Sequence, residues 1–164
     1  MTAETIDYMG MQLDVNPADA NNFQYFSYCG RNELRLQACR ACGLLRHPPT
    51  SACPWCTCRE VEWKPVSGKG TIYSYTIVHH AIQPAFAARV PYSVVLVELD
   101  EQRDTPEAGQ SLRIVGNLVD GDGTLVRWTD GDAWSIGSRL ELTFRQITPQ
   151  LAVPQWRLAS DEAG

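Results

Sequence analysis

ACRACGLLRHPPTSACPWCTC, residues 38–58, decides how this chain is read. Cys39 and Cys42 are separated by two residues, and so are Cys53 and Cys56. Two intervening residues let a tight turn aim both sulfurs at one point. Two such turns facing each other complete a tetrahedron of thiolates, a geometry that zinc accepts without electronic preference. Gly43 directly follows the first pair and supplies the permissive backbone such a knuckle needs. Thr57 stands at the matching place after the second pair, so that turn must be made by a residue with a Cβ. The spacing therefore predicts one zinc ion on Cys39, Cys42, Cys53 and Cys56. Rubredoxin-type iron would use the same four sulfurs, but zinc has no redox chemistry and suits a structural brace. With every position taken by cysteine, no site is left for water or substrate, and the ion is expected to be structural. A redox CxxC pair opens a helix in an α/β pattern, which neither pair here does.

Working outward, the other polar candidates are weaker. Cys58 would be a ligand only in the poorer CxxxxC spacing, and Cys29 reads as an ordinary semi-buried thiol. His47 lies between the pairs and is superfluous once four cysteines are present. His79 and His80 fall at a strand end, where binding residues collect, but adjacent strand residues point to opposite faces. The pairs Asp120/Asp122 and Asp130/Asp132 lack the glutamate of a calcium loop and read as solvated turns. No GxSxG, P-loop or GxGxxG motif occurs, and no nucleophile–base pair stands out.

The remainder of the chain sets the frame for that site. It has 164 residues, with a hydrophobic fraction ordinary for a globular protein and no run approaching the roughly 20 apolar residues of a membrane helix. Residues 1–15 carry three acids and no Lys or Arg, the wrong start for a secretory signal, so a cytoplasmic protein is expected. The net charge of −5 argues against a general nucleic-acid binder. That charge is uneven: residues 31–69 hold seven Lys/Arg against three acids, and arginines there are expected to offset the zinc–thiolate charge.

Residues 1–15 show no period and read as a loose arm. Asn16-Pro17-Ala18-Asp19 reads as a helix start, with Asn16 as N-cap and Pro17 in the first turn. Ala20, Phe23 and Phe26 then recur at helical spacing up to Gly30, and the aromatic face of Phe23 and Phe26 either packs on its own chain or docks on a partner. Residues 31–37 read as a short strand with Leu34 and Leu36 on one side, and Pro48-Pro49 disfavours a helix between the cysteine pairs. Five strands follow, at 71–79, 91–100, 111–120, 139–144 and 151–158, with Gly116 expected at a bulge or close approach. Five strands over about ninety residues suggest a small closed or nearly closed barrel of the OB type. The expected architecture is mainly β: an N-terminal arm and helix (1–30), a zinc ribbon (31–66) and a five-stranded OB-fold barrel (67–164).

The order LRLQACRACG (34–43), CPWC (53–56), SGKGTIYSYT (67–76), PYSVVLVELD (91–100), IGSRL (136–140) and VPQW (153–156) resembles the DUF35 family. The resemblance implies a rubredoxin-like zinc ribbon followed by an OB-fold, and an accessory role without chemistry of the chain's own. It implies as partner a thiolase-like or lipid-transfer-protein-like aldolase acting on acyl-CoA, in the manner of bacterial steroid side-chain degradation, two copies of each chain together and acyl-CoA at the shared interface. The alternative it implies is a scaffold or acyl-CoA-binding subunit of a thiolase or acyltransferase complex. A carbon–carbon lyase is then the activity of the complex, not of this subunit. A nucleic-acid module is a rival reading, because zinc ribbons and OB-folds both bind nucleic acids, but the acidic barrel opposes it.

Overall fold

A computed structural model describes residues 4–16, 18–128 and 134–160. Pro17 and the turn at Asp130 and Asp132 lie outside them. Strand β1 (Glu4–Tyr8) and strand β2 (Met11–Val15) form an antiparallel hairpin in place of the expected loose arm. Its turn residues, Met9 and Gly10, both have positive φ, at 57° and 89°. Two consecutive positive φ values match the twist of a two-residue hairpin. The period hidden in the sequence is Ile6 and Tyr8 inward, Thr5 and Asp7 outward. It is obscured because a methionine, not the usual asparagine, takes the first turn position.

Helix α1 (Ala20–Cys29) starts later than expected. Asp19 is the N-cap, its carboxylate accepting from the Asn22 N–H at 3.3 Å, while Asn16 instead accepts from the Ala18 N–H at 3.0 Å. Tyr25 and Cys29, one turn apart, form its buried stripe, and Phe23 and Phe26 flank it half-buried. The helix ends where the chain meets the 148–151 turn. A Cβ on Gly30 would lie 2.1 Å from the Gln150 carbonyl oxygen, so glycine is required there for close approach and not for its φ of −60°.

A three-stranded antiparallel sheet follows, in the order β4 (Leu45–Arg46), β3 (Arg35–Cys39), β5 (Val61–Pro65). Strand β3 begins four residues after the expected start at Arg31 and is buried on both faces. Leu36 and Ala38 enter the apolar core, and Gln37 sits 1% exposed on the other side. That amide is satisfied: its oxygen accepts from Arg46 Nε (2.7 Å) and the Thr50 N–H (3.0 Å), and its nitrogen donates to Asn21 Oδ1 (3.1 Å).

The five expected strands are all present: β6 (Lys69–Val78), β7 (Tyr92–Leu99), β8 (Arg113–Asn117), β9 (Arg139–Gln146) and β10 (Ala152–Leu158). They form one antiparallel sheet in the order β10-β9-β6-β7-β8. Strand β7 alternates strictly, with Ser93, Val95, Val97 and Leu99 inward. The ladder does not close into a barrel. The edges β8 and β10 meet at a single parallel bridge, Leu118 to Trp156, with the Val119 N–H donating to the Trp156 carbonyl at 2.8 Å. The reason is visible at Gly116, where a Cβ would lie 2.8 Å from Trp156 Cδ1: an indole fills the seam where a ladder would run. This curled sheet, with edge strands meeting in parallel, is the OB arrangement.

One apolar core runs through all three parts, from Tyr25 and Cys29 of α1, through Leu36 and Leu45, to Ile72, Val97, Leu140 and Trp156. A side chain also stitches the sheets. Gln102, buried after β7, accepts from the Leu45 N–H (2.7 Å) and donates to the Leu45 carbonyl (3.1 Å), pairing with β4 as a neighbouring strand would.

Candidate metal centre

The first cysteine turn leaves β3 at Cys39 and returns through Gly43, whose N–H donates to the Cys39 carbonyl at 2.8 Å. The second repeats it, the Thr57 N–H donating to the Cys53 carbonyl at 3.0 Å. Gly43 has φ of 75° and Thr57 has φ of 61°, so both knuckles use the left-handed backbone, and the second forces a β-branched residue into it.

These turns bring the Sγ atoms of Cys39, Cys42, Cys53 and Cys56 within 4.8 Å of one another. Across the two knuckles, Cys39 to Cys56 measures 3.5 Å and Cys42 to Cys53 measures 3.6 Å. Four sulfurs about 2.3 Å from one ion at tetrahedral angles would lie about 3.8 Å apart, so the donor set fits a tetrathiolate metal site. Backbone N–H groups of Cys42 and Ala41 point at the Cys39 sulfur, and they pull that thiol down to about 6. Burial raises the Cys53 thiol, but the N–H groups of Cys56 and Trp55 outweigh it and its net shift is downward. The facing thiols shift the other way: Cys56 is pushed up to about 12 and Cys42 is raised, each against a backbone N–H, by its bond to the neighbouring sulfur together with desolvation, so the backbone donors favour the thiolate at Cys39 and Cys53.

Of the remaining candidates, Cys58 is outside the cluster, its Sγ 3.9 Å from the Glu60 carbonyl. Cys29 is fully buried in the core, where burial pushes its thiol up to about 12. His47 packs against Tyr25 with ring centres 5.0 Å apart, away from the sulfurs, and burial lowers its pKa to about 4. His79 and His80 are exposed beyond the end of β6. Asp120 works as a turn former, its carboxylate accepting from the N–H groups of Asp122 (3.0 Å) and Thr124 (2.9 Å). Phe23 and Phe26 line an apolar groove of about 280 Å³ between α1, the β1–β2 hairpin and β10, together with Leu13, Ile147 and Val153. Phe26 also packs against the core. Sequence reading misses Trp55, which stands half exposed between Cys53 and Cys56.

Paired cysteine knuckles on a three-stranded sheet, joined to an OB-type sheet, define a ribbon–OB class of protein. Residues 63–145 match the family described as ChsH2, C-terminal OB-fold domain. The solved structure of an Ltp2–ChsH2(DUF35) aldolase is similar to this chain at 33% identity and a TM-score of 0.66, over 87% of this chain and 97% of that one. The chain belongs to the DUF35 family. It is also 34% identical, over 90% of its length, to a probable enoyl-CoA hydratase alpha subunit of Thermomonospora curvata. Over 43% of its length it is 42% identical to the 3-oxo-4,17-pregnadiene-20-carboxyl-CoA hydratase alpha subunit of Mycobacterium tuberculosis. The chain spans 40% of the first of these relatives and 22% of the second. Among the described residues, no helix is long and apolar enough to cross a membrane.

Proposed function

We propose that this chain is a zinc-braced, non-catalytic OB-fold subunit that pairs with a thiolase-like aldolase acting on steroid side-chain CoA thioesters. The observation that carries the reading is the likeness to the Ltp2–ChsH2(DUF35) aldolase, which extends over nearly all of that chain. The pregnadiene-carboxyl-CoA hydratase relative supports a steroid substrate. Zinc is favoured by a closed set of four thiols, which leaves no position for substrate. In this reading Cys39, Cys42, Cys53 and Cys56 hold the ion, which ties β3 to the 53–58 turn, and the carbon–carbon bond is cleaved by the partner. Phe23 and Phe26 border a groove into which an apolar side chain of the partner would fit.

Co-expression with a thiolase-like aldolase and sizing of the product test the pairing. A stable complex with two copies of each chain is expected, and Phe23→Ser is expected to weaken it while zinc content stays at one per chain. Turnover by the purified chain alone would overturn the reading. The names of the two relatives favour a second one, in which the partner subunit belongs to a hydratase. Complex formation with a hydratase beta subunit, and none with an aldolase, would select it.

A further inference from the structure

We propose that a cleft on the OB sheet binds a phosphate-bearing anion of the diphosphate kind through Arg89, Arg127 and Arg145. The cleft, of about 390 Å³, lies between the 84–89 turn, the 122–127 loop and the end of β9, and these three arginines line it together with Asp122 and Thr124. Three arginines lining one cleft are unexpected in a chain of net charge −5. Five arginines elsewhere are bridged to carboxylates: Arg35 to Glu33, Arg103 and Arg113 to Glu98, Arg139 to Asp100, Arg157 to Glu141. At the cleft, no carboxylate among the described residues lies within ion-pair distance of the three.

The three side chains are instead steered by backbone oxygens. Arg89 donates to the Ala85 carbonyl, Arg127 to the Val90 carbonyl at 2.8 Å, and Arg145 to the Gly123 carbonyl at 3.2 Å. A guanidinium has five donors in a rigid fork. One bond to a carbonyl fixes its direction and lowers the rotamer entropy lost when a ligand arrives. Like charges that line one cleft repel one another when it is empty, and an anion relieves that repulsion. Against the single Asp122 carboxylate, the arginines leave two positive charges, which suits a multiply charged phosphate better than a carboxylate. Planar forks bind phosphate oxygens in pairs, which adds direction to charge. The inference does not depend on the aldolase pairing, although a coenzyme A thioester would be one carrier of such a group.

The test is calorimetric titration of the full chain, in low chloride, with inorganic pyrophosphate and separately with coenzyme A. Wild-type protein is expected to bind pyrophosphate, more weakly as chloride rises. Arg127→Ala/Arg145→Ala is expected to lose about tenfold or more in affinity, while Arg157→Ala, removed from the cleft, binds as wild type. Coenzyme A that binds and is displaced by pyrophosphate would identify a carrier diphosphate as the source; pyrophosphate binding alone would point to a free phosphate compound. If the double variant misfolds, Arg127→Ala serves, because that side chain is exposed and gives up one surface hydrogen bond. No binding of either compound to wild type, or unchanged affinity in the arginine variants, would overturn the proposal. Loss of aldolase pairing with anion binding intact would leave this site standing and remove only the functional reading above.

Discussion

The phenol oxygen of Tyr8, in the N-terminal hairpin, accepts from Gln155 Nε2 at 3.2 Å and from Asn117 Nδ2 at 3.1 Å. Gln155 belongs to β10 and Asn117 to β8, the two edges whose ladder does not close. One hydroxyl thus latches the seam of the OB sheet. Tyr8→Phe leaves the Gln155 amide, 1% exposed, without this acceptor. A buried donor stripped of its partner costs about 1–3 kcal/mol, so the urea midpoint should fall accordingly. An unchanged midpoint would show that the hairpin does not hold the seam.

The same seam predicts intolerance at Gly116. A methyl group there meets Trp156, which is buried and ringed by core. Gly116→Ala is expected to destabilise by about 1–3 kcal/mol through overpacking. Gly121 is the control, since a Cβ there would meet nothing within 4 Å, and Gly121→Ala should stay within about 0.5 kcal/mol of wild type. Equal effects at both positions would dismiss the close approach as the cause.

Thr57 holds a left-handed φ of 61° that Gly43 occupies at 75° without a side chain. That conformation costs an L-residue roughly 1–2 kcal/mol. Thr57→Gly should therefore tighten metal binding by up to about tenfold in chelator competition, since folding of such a knuckle and metal binding share one free energy. Weaker binding would mean that the Thr57 hydroxyl, which donates to the Cys56 carbonyl at 2.7 Å, contributes more than the strain costs.

Elemental analysis should find one zinc ion per chain. Cys39→Ser and Cys56→Ser should lose it and unfold the segment between β3 and β5, because binding free energy in such sites is folding free energy. Cys58→Ser should keep the metal, as its sulfur stands outside the cluster. Metal loss in that variant would make Cys58 a ligand.

His47 predicts a pH dependence. The unfolded chain takes up a proton there near pH 6.5, whereas burial keeps the folded imidazole neutral down to about 4. Between those values the unfolded state binds more protons, so stability rises with pH. The contribution is complete above about pH 6.5 and is lost as pH falls toward 4. From pH 7 to pH 5.5 the loss should be about 1 kcal/mol, with metal content checked at each point. His47→Phe should flatten that slope; a slope as steep as wild type would assign the titration to another group.

Much of the fold and of the candidate metal site is legible locally. The CxxC spacing, the glycine at 43 and the Cβ-bearing residue at 57 are properties of four- or five-residue turns, and each turn takes the form its own residues dictate. The five strands of the OB sheet carry their own alternation, clearest in β7. The hairpin escapes sequence reading because Met9 breaks the period, and the helix start is displaced by three residues because Asn16 and Asp19 compete for one role. At Gly30 the sequence shows a residue suited to a helix stop, whereas the demand there is steric and comes from Gln150, far along the chain.

By itself, then, the sequence determined what is set within a few residues: the thiol cluster, the five strands of the OB sheet and the order of ribbon before that sheet. Tertiary structure alone decided which residues meet across long separations. Tyr8 with Gln155, Gly116 with Trp156, Leu45 with Gln102, and the three arginines of the cleft each depend on how separate elements pack. Periodicity fixes the face on which a side chain lies, but not the element that face will meet. That choice is made by filling one shared core, a property of the whole chain.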